Sequence, residues 1–420
     1  MSGRVKILIT NIVTLNAGDA AILYAMVDVL RTAFGYETEF VVYDKHGDMP
    51  ARYYPDLEFR KLLYLARENH GRSFKLGLWS TKHGIPLLPQ ALLNSTERRD
   101  VAEYKNADLI VSSGGTYLVE NYSLAARIFD YQLSLYLGKP LVFFTQSLGP
   151  FADPQNRQAL LPIFQESIAV LVRDEHSRAN LEELGVDKTK VHLAADAVFA
   201  LCDVPAIESA KTRETSAEQL KVAISVREWK HFKTIDAAEG MKHYIEALRS
   251  LTTYLVEKHN ANVTYISTCQ GMPEYWTDDS KLAQIIVDGL PETIRQSVSV
   301  DSNFRRPAEL AATLKNYDLV IATRMHMAII ALSVGTPVLP IAYEFKMHGL
   351  FERLGQARWV QDIESVNGEV LIEKLEQFLE ALPGMRRPLF TAVQREHASA
   401  VASGQIVKQA YEEWRKANHK

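Results

Sequence analysis

Residues 318–346 read DLVIATRMHMAIIALSVGTPVLPIAYEFK, and this stretch decides the fold. Leu319 to Ile321 and Val338 to Ile341 are short, unbroken apolar runs, the pattern of strands buried on both faces. Between them, Met325 to Val334 reads as an apolar helix. Strand, helix and strand in that order make a βαβ unit of a parallel sheet. The alternation continues upstream. Lys221 to Val226, Asn262 to Ser267 and Val298 to Val300 read as strands, with helices at Ala237–His259 and near Asp278–Leu290. An earlier series has strands at Val5–Thr10, Glu39–Tyr43, Leu109–Ser112, Leu141–Thr145, Ala169–Val172 and near Val191. Its helices run from Ala20, where Asp19 can cap, from about Ser123, from Pro154 and from Asp174. Residues 49–97 show no clear period and read as loops and short helices bordering a cleft.

These patterns predict an α/β protein of two doubly wound, Rossmann-like domains facing a central cleft. The expected boundaries are residues 1–201, a polar linker at 202–219, a second domain at 220–385, and a C-terminal helix at 386–420 that packs back on the N-terminal domain. Open parallel sheets bind ligands outside the carboxyl ends of their strands.

Composition narrows the chemistry by exclusion. The 420 residues carry 47 Lys and Arg against 51 Asp and Glu, a formal charge of −4, so no basic surplus points to nucleic acid. Two cysteines, Cys202 and Cys269, make neither a disulfide framework nor a cysteine-based zinc site. No metal-binding signature occurs, and neither a metal nor a cofactor is expected. The N-terminal apolar run has no cleavage site after it and reads as a first strand. The segment Leu133 to Leu148 is broken by Lys139, Pro140 and Gln146, short of the roughly 20 apolar residues of a spanning helix. The expectation is a cytoplasmic protein whose contact with a membrane, if any, is peripheral. Oligomeric state is not legible.

The strand ends hold the candidate chemistry. Arg324 and His326 follow the decisive strand and open a helix, placing a cation and an imidazole suited to acid–base chemistry where helix amides add positive potential. Ser225 and Arg227 end the strand at residue 226, and Lys346 follows the strand ending at residue 341; guanidinium and ammonium groups suit a carboxylate or phosphate. In the first half, Asn16-Ala17-Gly18-Asp19 and Ser113-Gly114-Gly115-Thr116 are turns where a ligand can approach backbone amides. Gln146 and Ser147 end another strand, without the context of a nucleophile elbow. Arg173-Asp174 reads as a strand-end ion pair, Asp196 as a group facing the crevice, and Tyr275-Trp276 as a pair able to stack on a sugar. None of the glycine turns matches a nucleotide-binding fingerprint.

Taken in order, Asn16-x-Gly18-Asp19-Ala20-Ala21-Ile22-Leu23, Gly114-Gly115, Gln146-Ser147-Leu148-Gly149-Pro150-Phe151, Val172-Arg173-Asp174, Asp196, Ser225-Val226-Arg227, Thr323-Arg324-Met325-His326 and Tyr343-Glu344-x-Lys346 resemble the polysaccharide pyruvyl transferases. Ala223–Trp229, Ser267-Thr268-Cys269, Tyr275 and Asp278-Asp279 resemble the bacterial colanic-acid and amylovoran branch. Thr116 stands where many members have glycine or serine. The resemblance implies a fold similar to the B-type glycosyltransferases and phosphoenolpyruvate as donor. It further implies a sugar or lipid-linked oligosaccharide acceptor at the inner face of the cytoplasmic membrane, and a cyclic pyruvate ketal plus phosphate as products. On that reading Arg227, Arg324, Lys346 and Ser225 bind the donor, and His326, Arg324 and Asp19 carry the chemistry. Asn16, Gly18, Gly114, Gly115, Thr116, Gln146 and Ser147 then line the acceptor side. Two alternatives stay open: a B-type glycosyltransferase using a sugar nucleotide, for which Glu344 could hold the ribose, and a non-catalytic scaffold of polysaccharide assembly.

Overall fold

The computed structural model describes residues 4–66, 71–85, 88–120, 122–214 and 219–418. The chain forms two compact units. The first takes residues up to Thr14, Ile22–Ala197 and Ser399 onward; the second takes Leu15–Ala21 and Val198–Ala398.

The first unit is built on eight parallel strands: β1 (Lys6–Ile12), β2 (Glu39–Asp44), β3 (Glu58–Lys61), β4 (Leu109–Ser112), β5 (Gly115–Leu118), β6 (Leu141–Leu148), β7 (Ala169–Val172) and β8 (Val191–Leu193). Their order is β3-β2-β1-β4-β6-β7-β8, with β5 paired to β6. Helices α1 (Ala17–Phe34), α2 (Arg72–Lys82), α3 (Ser95–Asn106), α4 (Ala125–Tyr136) and α5 (Glu175–Leu184) accompany the sheet. The unbroken runs are strands because both faces are covered: β4, β6 and β7 are buried throughout.

The second unit has six parallel strands: β9 (Lys221–Ser225), β10 (Asn262–Tyr265), β11 (Val298–Val300), β12 (Leu319–Ala322), β13 (Val338–Ala342) and β14 (Gln361–Asp362). Their order, β11-β10-β9-β12-β13-β14, is the 3-2-1-4-5-6 arrangement of a Rossmann sheet. Its helices include α6 (Ala237–His259), α7 (Asp279–Asp288), α8 (Met325–Ser333), α9 (Phe345–Arg353) and α10 (Gly368–Asn418).

Four features depart from the sequence pattern. Residues 49–97 contain β3, α2 and the start of α3. The edge strand β3 buries only Phe59, so pairing with β2 makes it a strand where no apolar run announces one. Within 202–219, Val204–Ala210 is helical, capped by Asp203 through the Ala206 amide at 3.0 Å; residues 215–218 lie outside the described residues. Gly115 begins a strand rather than continuing a turn. The terminal helix starts at Gly368 and runs through Pro383 and Pro388. Leu371, Leu375, Phe378, Leu382, Leu389 and Val393 lie on its buried face, and that packing outweighs the amide bonds the prolines forgo. Beyond Ser399, whose hydroxyl accepts from the Ala195 amide at 3.0 Å, α10 packs in the first unit, with Tyr411 and Phe34 rings 5.6 Å apart.

A buried polar cluster in the first unit supplies a stability test. Asp130 accepts from Thr10 Oγ1 at 2.5 Å and from the Tyr104 hydroxyl. Burial pushes its carboxyl from 3.8 up to about 6, against those two bonds. A carboxyl raised on folding stabilises the fold while protonated, so its contribution is present at acid pH and lost as pH rises through about 6. Asp130→Asn removes that titration. The stability gap between parent and variant should narrow by up to about 3 kcal/mol between about pH 4 and pH 6, then stay level; urea titrations across that range measure it.

Candidate active site

In the second unit, β9 and β12 are the neighbours at which strand order reverses, and their carboxyl ends mark the expected ligand site. Beyond β12, the Thr323 hydroxyl bonds the buried Tyr244 hydroxyl at 2.6 Å, and the Arg324 amide donates to Ser225 Oγ at 3.2 Å. Ser225 is thus buried and ties β9 to the β12–α8 junction. Arg324 grips Asp279 with both arms, Nε to Oδ2 at 2.9 Å and Nη2 to Oδ1 at 2.6 Å. Asp279 opens α7 and also accepts from Ser267 Oγ at 2.6 Å. Burial works against the Arg324 charge, but the Asp279 carboxylate more than offsets it and holds the guanidinium well above its ordinary value. The pairing turns the remaining Nη1 edge into a fixed donor.

Arg227, two residues past β9, has aromatic partners. Its Nη1 donates to the Tyr343 hydroxyl, and its guanidinium lies 4.2 Å from the Tyr343 ring centroid and 5.4 Å from that of Trp229. Among the described residues no carboxylate stands within ion-pair distance of it, so its charge is left for a ligand. Lys346 Nζ lies 5.5 Å from the centroid of the same Tyr343 ring and pairs with Glu344 at 2.7 Å. Burial raises the Glu344 carboxyl, but Lys346 and then Arg227 outweigh it and hold the group ionised below its usual range. Glu344 is therefore committed to a lysine.

His326 sits in the first turn of α8, against the segment Leu15–Ala21. A Cβ on Gly18 would stand 2.7 Å from His326 Cβ and 2.8 Å from its Nδ1, so only glycine admits this approach. Asn16 Oδ1 accepts from the Gly18 amide at 2.8 Å, and the Ala17 amide donates to the Thr268 carbonyl at 3.0 Å. Asn16, Gly18 and Asp19 thus belong by contact to the second unit, although the chain reaches them from β1 of the first. Tyr275 and Cys269 feel both Asp19 and Arg324; burial, first of all, pushes the Cys269 thiol up to about 12 and the Tyr275 phenol higher still. Gly18→Ala should displace the imidazole and lower kcat by at least about 10-fold, a loss larger than any fall in Tm accounts for. Steady-state kinetics beside a melting curve distinguishes this from unfolding.

The remaining sequence candidates lie in the first unit, and most serve its framework. A Cβ on Gly114 would meet Ile22 at 2.9 Å and the Phe144 carbonyl at 3.1 Å; close packing, rather than ligand approach, requires glycine here. Ser147 is fully buried, donating to Asp174 at 2.6 Å and accepting from Arg173 Nε at 2.9 Å. Arg173 also pairs with Asp196 and donates from Nη2 to Thr116 Oγ1 at 2.8 Å. Of this network Thr116 alone is half-buried rather than enclosed. Gln146 is buried beside β4, its Nε2 donating to Ser112 Oγ and the Ser113 carbonyl at 2.7 Å each. Sequence reasoning gave no role to Asp279, Ser267, Tyr244, Trp229 or Tyr343. Beyond the family resemblance, which includes Asp278-Asp279, the signal for the carboxylate was Arg324 itself, since a buried cation requires one and Asp278-Asp279 is the acidic pair opening the helix after β10.

Among the described residues no group of three or more His, Cys, Asp or Glu is placed to hold a metal ion. No helix among them is long and apolar enough to cross a membrane. Residues 16–344, which contain every candidate above except Lys346, match the polysaccharide pyruvyl transferase family. The chain belongs to that family. It is a transferase with two parallel-sheet, Rossmann-like domains. It is 27% identical over 298 residues to amylovoran biosynthesis protein AmsJ of Erwinia amylovora, covering 70% of each chain. In fold it is similar to UDP-GlcNAc 2-epimerase of Neisseria meningitidis, with TM-score 0.58, 11% identity and coverage of 98% of this chain and 100% of that one. A glycosyltransferase of Rickettsia africae gives TM-score 0.57 at 10% identity, covering 99% and 98%. Such likenesses carry the B-type glycosyltransferase fold and nothing about substrates.

Proposed function

We propose that this pyruvyl transferase moves pyruvate from phosphoenolpyruvate to a hydroxyl pair of a sugar in an exopolysaccharide unit, closing a cyclic ketal and releasing phosphate. The observation that carries the reading is the set of cations at adjacent strand ends of one Rossmann sheet, Arg227 after β9, Arg324 after β12 and Lys346 after β13, with His326 beside them. Phosphoenolpyruvate holds a carboxylate and a phosphate on one three-carbon frame, and Arg227 is the cation left without a carboxylate. Membership of the family and the likeness to an amylovoran biosynthesis protein support a sugar acceptor in exopolysaccharide synthesis.

The chemistry balances without a redox partner. A proton adds to the methylene carbon, C2 becomes electrophilic, and one sugar hydroxyl attacks it. The bond from C2 to the phosphate oxygen breaks, and the second hydroxyl closes the ring. Of the two hydroxyl protons released, one is taken up at the methylene carbon and the other leaves on the phosphate, which departs as hydrogen phosphate. Arg227 and Lys346 offset that charge, Arg324 fixes the β12 end through Asp279, and His326 moves the proton, with Asp19 as second base. Ser225 orients Arg324 rather than meeting the donor. The acceptor then lies toward Asn16 and Gly18.

A thermal-shift comparison tests the donor: phosphoenolpyruvate should raise Tm, and a sugar nucleotide should not. The reverse result would favour glycosyl transfer. Arg227→Ala should raise KM for phosphoenolpyruvate about 10- to 100-fold, the worth of a charge-assisted contact, with a smaller change in kcat. Unchanged donor kinetics would remove Arg227 from the site.

A further inference from the structure

Helix α2 carries a face that pyruvyl transfer does not use. Phe74, Gly77 and Ser80 turn inward: the Phe74 ring lies 6.1 Å from Phe129, and a Cβ on Gly77 would stand 2.7 Å from the Leu93 side chain. The opposite face presents Arg72, Lys75, Leu76, Trp79, Lys82 and His83 to solvent. Leu76 is 46% exposed and Trp79 44%, and Tyr136 of α4, 36% exposed, takes Lys82 Nζ over its ring at 4.2 Å. Residues 71–96 contain Arg72, Lys75 and Lys82 and no Asp or Glu, in a chain whose formal charge is −4.

The combination is selective. Two large apolar side chains one helical turn apart, left open to water, need a cover. Long cations around them, with no acid between, ask that the cover be negative. A second copy of this face fails on charge, because a two-fold interface would set cation against cation. An anionic bilayer satisfies each part: the indole and phenol rings sit at headgroup depth, Leu76 reaches the acyl boundary, and the cations meet lipid phosphates. We propose that α2, with Tyr136, docks the protein on an anionic phospholipid surface.

Sedimentation with vesicles tests this. The full chain should bind phosphatidylcholine vesicles containing about one-third phosphatidylglycerol, bind pure phosphatidylcholine far less, and release as salt rises. Each cation at such a surface is worth about a 5-fold change in partition, so Lys75→Glu with Lys82→Glu should weaken binding by at least about 25-fold. Leu76→Ser with Trp79→Ser should also abolish binding, with Tm and phosphoenolpyruvate-dependent activity unchanged. No binding of the parent to mixed vesicles would overturn the proposal. So would variants that bind like the parent, or a concentration-dependent dimer that disappears in the variants while vesicles are ignored.

Discussion

His326→Ala is expected to lower phosphoenolpyruvate-dependent ketal formation by about 100- to 10,000-fold, the range spanned by removal of a positioned acid or base. The fold should survive, because His326 is half-buried in the first turn of α8, and the residues that anchor that helix, Met327, Ala328 and Ile329, are untouched. The loss should fall on kcat, with donor affinity nearly preserved, since the cations remain. His326→Gln separates position from proton transfer: it can hydrogen-bond but not titrate, so it should bind donor and still fail to turn over. Near-normal turnover by either variant would remove His326 from the chemistry and leave Asp19 as the remaining acid–base candidate.

The second large effect lies in the Arg324–Asp279 pair. Asp279→Ala leaves a buried guanidinium without its carboxylate and takes from Ser267 the shorter of its two acceptors. Breaking a buried pair from one side costs about 3–5 kcal/mol. Urea unfolding should show that loss, and activity should fall with it because the β12–α8 junction carries His326. A double variant, Asp279→Leu with Arg324→Met, removes both charges and should recover much of the stability by packing while remaining inactive. Equal stability of Asp279→Ala and parent would mean that Arg324 is solvated in solution rather than held. Recovered activity in the double variant would show that the guanidinium has no part in turnover.

Legibility in the sequence followed burial. Strands covered on both faces, such as β4, β6, β9 and β12, announce themselves as unbroken apolar runs, and the candidate residues follow their ends. β3 and β5 do not, because they exist through pairing with a neighbour rather than through their own pattern. Arg227, Arg324, His326 and Lys346 became candidates because charged groups at strand ends stand out against apolar surroundings. Asp279 could not be assigned, since its partner is 45 residues away and only the fold brings them together. The segment at Asn16–Asp19 shows the same limit in another form. A turn with a helix from Ala20 was expected, yet Ala17–Asp19 already form the first turn of α1 behind Asn16, and the attachment of this segment to the second unit depends on a glycine meeting an imidazole 308 residues later, a contact that no local pattern encodes. Gly114 and Ser147 mislead in the opposite direction. Small and polar residues at strand ends suggest a ligand, yet here they are consumed by close packing and by the Arg173 network.

Pyruvyl transfer from phosphoenolpyruvate is the proposed reaction. Mass spectrometry of a panel of sugar and lipid-linked acceptors, incubated with the enzyme and phosphoenolpyruvate, tests it most directly. One acceptor should gain a single pyruvyl ketal with an equal amount of phosphate released, and His326→Ala should form that product at least about 100-fold more slowly. A glycosyl increment formed from a sugar nucleotide, with phosphoenolpyruvate left unconsumed, would contradict it.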